Sequence, residues 1–127
     1  STGASWQAIA TRYHSIVEEK LAAPVTAEWL EGLPREGDAL TIAAAVTARL
    51  HKEVRYTGVE FGDAAIVPRT PAETLERKYG DCKDKSVLLV SALRAVGLNA
   101  SLALLSAGFD TDVPRELPGL GLFNHAI

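Results

Sequence analysis

A chain of 127 residues, 47% hydrophobic and 23% charged, is long enough for one domain with a modest core. Its formal net charge of −3 gives no electrostatic reason to expect nucleic acid or an anionic membrane surface as a partner. No apolar run is long enough to cross a bilayer, and Ser1-Thr2-Gly3-Ala4 has neither the basic nor the apolar region of a signal peptide.

The first apolar pattern runs from Trp6 through Ile9, Ala10, Tyr13, Ile16 and Val17 to Leu21 at helical spacing, with Ser5 as N-cap and Pro24 as breaker. A helical turn is expected from Thr26 to Leu30, closed by Gly32 and Pro34. Asp38 then caps a second long helix whose apolar face is Ala39, Ile42, Ala43, Val46 and Leu50. Val54 to Tyr56 reads as extended, and Gly58 to Pro68 as irregular. Thr70-Pro71-Ala72-Glu73 has the N-cap, N1 proline and N3 glutamate of a capping box, opening a short helix that Gly80 is expected to stop. Asp81 caps the next helix, from Cys82 to Val96. Its residues Val87, Leu88, Leu89, Val90, Leu93 and Val96 mark it as the buried central helix. Ala100 to Leu105 reads as a strand, Ser106 to Leu122 as a long loop, and Phe123 to Ile127 as the start of another strand. With no internal repeat, low-complexity tract or linker in view, residues 1–127 read as a single domain, and the absence of methionine and this ending lead to the expectation that it is a piece of a longer protein, incomplete at its C-terminal part.

Cys82 is the one cysteine of the chain, so it forms no internal disulfide, and a lone cysteine does not fix the redox compartment. A helix N-terminus biases a thiol toward thiolate and offers free N–H groups to an oxyanion. Lys83 and Lys85 are expected to add positive charge near the thiol, partly offset by Asp81 and Asp84. Two readings of Cys82 stand at this point: a nucleophile for acyl transfer, or a small buried hydrophobe. Of the three histidines, His14 falls on the polar face of the first helix and His51 at the C-terminal end of the second, where the helix dipole favours it. His125, in a short apolar strand after the long loop, is the candidate base, with a satisfied core histidine as its alternative. Such a base needs an orienting group. Asn124 is adjacent but points to the opposite face of a strand, and Asp110 or Asp112 would have to fold back from the loop. A metal site of Cys82, His125 and a carboxylate lacks any paired-ligand spacing.

The chain resembles the transglutaminase-like superfamily, whose fold is related to that of papain-like cysteine proteases. The closest pattern is that of bacterial transglutaminase-like proteins labelled cysteine proteases. The resemblance rests on Val54-Arg55-Tyr56-Thr57-Gly58-Val59-Glu60, Gly80-Asp81-Cys82-Lys83-Asp84-Lys85, Leu88, Leu93, Gly97 and Phe123-Asn124-His125. It implies an α+β fold with a papain/transglutaminase-like core: N-terminal helices and a Cys-bearing central helix packed on a small antiparallel sheet, truncated at its C-terminus. It implies Cys82 as nucleophile and His125 as general base and acid, with no metal or organic cofactor. The family's third residue, an aspartate on the following strand, has no counterpart here, and strands beyond Ile127 would complete the sheet. The open sheet edge would then favour self-association. The activity implied is acyl transfer at peptide or glutamine-type amides of a protein or peptide substrate, with hydrolysis favoured over transamidation. The alternative is a non-catalytic binding or scaffold module. Relatives of this type are often exported in bacteria.

Overall fold

Each helix of the computed structural model, which describes residues 5–58, 67–106, 119 and 123–127, begins on a side-chain oxygen that accepts a backbone N–H. The first helix, α1 (Trp6–Leu21), starts at Ser5, and α2 (Ala27–Leu30) starts at Thr26. Asp38 caps α3 (Ala39–Glu53), and Thr70 caps α4 (Pro71–Arg77), with Pro71 in the first turn. Asp81 caps α5 (Cys82–Ala95). Caps satisfy N–H groups that the helix itself leaves unpaired, so these five polar residues set where each helix starts.

The central helix is α5. One side packs on α3 and α2 through Leu30, Ile42, Val46, Leu50, Val54, Leu88, Ala92 and Val96. The other side meets α1 through Tyr13, Val17 and Val87. Buried on both sides, Val87, Leu88 and Ala92 have no exposed surface. The turn between α1 and α2 is tied to this helix by Val25 N–H donating to Ser91 Oγ at 3.1 Å. The turn after α2 is tied to α3 by Arg49, which donates to Trp29 O at 2.7 Å and Glu31 O at 2.6 Å.

Two small strand pairs complete the architecture, which is α+β as expected. β1 (Arg55–Tyr56) runs parallel to β2 (Tyr79–Gly80), with Arg55 opposite Tyr79 and Tyr56 opposite Gly80. β3 (Leu104–Leu105) runs antiparallel to β4 (His125–Ala126), with Leu105 opposite His125. The expected single antiparallel sheet is therefore corrected among the described residues to one parallel and one antiparallel pair. β1 and β2 lie on the two sides of α4, and that crossover returns the chain in the same direction. The strand expected over Ala100 to Leu105 is limited to its last two residues. The expected helix stop also moves. Lys78, not Gly80, takes the left-handed conformation after α4, at φ 61°, with its N–H on Thr74 O at 2.9 Å. Gly80 is needed for another reason: a Cβ there would lie 2.7 Å from Asp84 Cβ.

Because Leu88 is fully enclosed between two helix layers, Leu88→Ala is expected to lower unfolding stability by about 2–5 kcal/mol in denaturant titration. Leu40, 80% exposed on α3, serves as the control. Leu40→Ala should change stability by no more than about 0.5 kcal/mol.

Candidate active site

Two helix faces and two strands converge on one cavity of about 370 Å³. From α5 come Cys82, Lys85, Ser86 and Leu89, which follow the i, i+3, i+4, i+7 spacing of a single face. From α3 come Thr47, Leu50 and His51, again one face. Tyr56 of β1 and His125, Ala126 and Ile127 of the β4 segment close the cavity. Cys82 and His125, far apart in sequence, thus line the same cleft. Asn124, just before the strand, is exposed and does not line it. Asp110 and Asp112 lie outside the described residues. Among the described residues His125 has no hydrogen-bonded side chain to orient it, and no group of three His, Cys, Asp or Glu side chains is placed to hold a metal ion.

The position of Cys82 follows from its neighbours. Asp81 Oδ1 accepts the N–H of Asp84 at 3.1 Å, and Asp84 Oδ2 accepts the N–H of Asp81 at 3.3 Å. This reciprocal capping box encloses Cys82 and Lys83 in the first turn. Asp84 Oδ1 also accepts the backbone N–H of Arg69 at 2.9 Å, and the Arg69 guanidinium lies 3.5 Å from its other oxygen. Lys83 Nζ is bonded to Asp81 Oδ2. Asp81, Lys83 and Asp84 are all buried, so the charges of this loop are matched to one another away from solvent. Breaking one member of such a set leaves a buried charge without its partner.

That arrangement changes the expected electrostatics. Lys83 does not lend its charge to the thiol side, because Asp81 holds it. Lys85, one turn along from Cys82, is the cation that lines the cleft. The first-turn N–H groups of Cys82 and Lys83 have no acceptor among the described residues, while that of Asp84 is used by the cap. They are the donors available to an oxyanion. Cys82 itself is 9% exposed. It is more enclosed than its polar sequence neighbours suggested, yet it borders the cleft.

Opposite the thiol, β1 is fastened to β2 by Arg55 N–H on Lys78 O and Thr57 N–H on Gly80 O, each at 2.9 Å. The pairing sets Tyr56 beside the loop that carries Cys82. Burial first, then the nearby Cys82 and Asp81, raise the Tyr56 phenol above the usual tyrosine range. On the α1 side, Tyr13 is pushed up to about 12, chiefly by burial, then by Cys82, Asp81 and Asp84. β4 is held near the thiol through β3 and through an edge-to-face contact of Trp6 with Phe123, 5.8 Å between centroids.

His51 is the cleft residue whose placement the sequence reading missed. Its position at the end of α3 already had a sufficient explanation in the helix dipole. Its ring instead meets Lys85, with Nζ 3.1 Å from Nδ1. The signal that would have found both residues is helical spacing: Lys85 shares the face of Cys82, and His51 shares the face of the core residue Leu50. His14, in contrast, is the exposed residue expected, 3.8 Å from Glu18.

Two outcomes follow. Asp84→Ala removes the acceptor of Asp81 N–H in the capping box, the acceptor of Arg69 N–H and one buried charge, and should lower stability by about 3–5 kcal/mol in denaturant titration. Tyr13 gives an alkaline signature. Its folded pKa lies above the unfolded value, so the folded state keeps a proton that the unfolded chain loses. Stability attributable to Tyr13 is full below pH 10 and is lost as pH rises toward about 12. Tyr13→Phe should flatten that part of the stability–pH curve.

A family model described as the transglutaminase-like superfamily matches residues 27–107, well over half of the chain. The match includes Cys82 and ends before His125. No curated protein and no solved structure matches the chain.

Proposed function

The chain belongs to the transglutaminase-like superfamily, and from that premise we propose that it performs cysteine-dependent acyl transfer at peptide or glutamine-type amides, with hydrolysis as the favoured outcome. The observation that carries the reading is the shared cleft of Cys82 and His125. The family assignment supports cysteine chemistry in general; the roles of individual residues are inferred from their placement.

In this mechanism His125 takes the proton of the Cys82 thiol, and the thiolate sulfur attacks the amide carbonyl carbon. The carbonyl π electrons move to oxygen, and the N–H groups of Cys82 and Lys83 receive the oxyanion. His125 then returns its proton to the departing amine as the C–N bond breaks, leaving a thioester on Cys82. Water enters, gives a proton to His125 and adds to the thioester carbonyl. Collapse releases the carboxylic acid and restores the thiol. An amine in place of that water would give transamidation. Among the described residues the cleft, bordered by Leu50, Leu89 and Ala126, presents no carboxylate side chain that would hold a cationic amine, and this favours water. The papain-like relationship of the core belongs to the same proposal. So does a protein or peptide as the substrate.

The test is alkylation by iodoacetamide at pH 6–7. Cys82 should react roughly tenfold faster than free cysteine, and His125→Ala should remove most of that advantage. A rate equal to that of free cysteine, and unchanged by His125→Ala, overturns the thiol–imidazole reading. Hydrolysis of a mixed peptide pool that disappears in Cys82→Ala would support the enzyme. Peptide binding without turnover in both proteins would instead favour a non-catalytic module.

A further inference from the structure

Lys85 is a nearly enclosed cation at the edge of a largely apolar cleft, and among the described residues no acidic side chain pairs with it. It is 9% exposed, and it lines the same cavity as Cys82 and His125. Lys83, two residues earlier, has Asp81, and Arg69 has Asp84. Among the described residues Lys85 has only the His51 ring, 3.1 Å away. A charged lysine has donors and no acceptor, so His51 receives its bond at Nδ1 and carries its own proton on Nε2. Among the described residues the side chains lining the cavity include two histidines, a lysine, a tyrosine and a cysteine, and neither aspartate nor glutamate. Lys85 thus places a positive charge in this cleft within a chain of net charge −3. Burial lowers the Lys85 pKa below the usual lysine range. A bound anion would compensate for that burial.

We propose that Lys85, positioned by His51, is a carboxylate-binding subsite one helical turn from Cys82, so that the substrate carries a carboxylate close to the amide that is attacked. This rests on the acyl-transfer reading for its meaning, although the subsite itself is a binding property and can be measured without turnover. Residues three apart on a helix have Cβ atoms about 5–6 Å apart, so an anion on Lys85 stands within a residue or two of a carbonyl on Cys82. Two sources offer this chemistry: an acidic side chain beside the amide, or the free C-terminal carboxylate of a peptide.

Two alkylating reagents of nearly equal size separate charge from reactivity. Iodoacetate should modify Cys82 faster, relative to iodoacetamide, than it modifies free cysteine. Lys85→Met should lower the iodoacetate rate about tenfold while moving the iodoacetamide rate by less than about threefold. Lys85→Arg should retain most of the preference. An iodoacetate-to-iodoacetamide ratio that is the same in the wild type and Lys85→Met overturns the subsite, even if both rates are high. Where Cys82 reacts with neither reagent, the nucleophile assignment fails and binding decides the subsite. For this, N-acetylalanine and N-acetylalaninamide form one pair, and N-acetylglutamate α-amide and N-acetylglutaminamide form the other. All four are titrated into Cys82→Ala and Cys82→Ala/Lys85→Met by NMR. A roughly tenfold preference for N-acetylalanine over its amide, lost with Lys85→Met, assigns a terminal carboxylate. The same result for the glutamate pair assigns an acidic side chain. Equal binding of acid and amide in both pairs overturns the subsite.

Discussion

The reciprocal capping box of Asp81 and Asp84 is the constraint on which the site depends. It fixes the first turn of α5, and that turn carries the thiol and two N–H groups without acceptors among the described residues. The same two carboxylates bind Lys83 and Arg69, so the cap is also an electrostatic junction between the helix and the segment before α4. Their burial makes the junction demanding: each carboxylate must keep its partners, because water does not replace them. The backbone around Cys82 is held by polar bonds, and the rest of α5 is held by apolar packing on both sides.

Packing then delivers the other cleft residues to this fixed point. Val46 and Leu50 seat α3 against Leu88 and Ala92, which carries His51 to the mouth of α5. The parallel pairing of β1 and β2 brings Tyr56 in beside Gly80. On the far side, Tyr13 and Val17 of α1 pack with Val87, Leu102 and Leu104, and the pairing of Leu104 and Leu105 with Ala126 and His125 extends that support to β4. The histidine is placed by a short antiparallel pair and the cysteine by a helix cap. Their common location is a product of tertiary packing.

Sequence carried the local part of this arrangement. Ser5, Thr26, Asp38, Thr70 and Asp81 each announce a helix start because capping depends on residues within one turn. Cys82 and His125 were legible as residue types suited to acyl transfer, and both line the cleft. What was hidden depends on how neighbouring elements turn against one another. Gly80 looked like a helix stop, whereas its importance lies in the close approach of Thr74 and Asp84 from the two helices that flank it. Lys83 and Lys85 look alike in a string of charges. The helix turns them to different surroundings, one to Asp81 and the other to the cleft. The direction of the β1–β2 pair likewise depends on how the chain returns after α4.

Gly80 has a consequence for how such a site can diversify. Its position admits no side chain without displacing Asp84, so the turn that presents the thiol has almost no freedom to vary. Thr47, Ser86 and Leu89 border the same cavity from regular helix and take no part in the cap. Random mutagenesis with selection for a new substrate should therefore accumulate changes on the helical walls and leave the presenting turn untouched. Reactivity and selectivity are written in separate parts of the chain, and the second can drift while the first stands still.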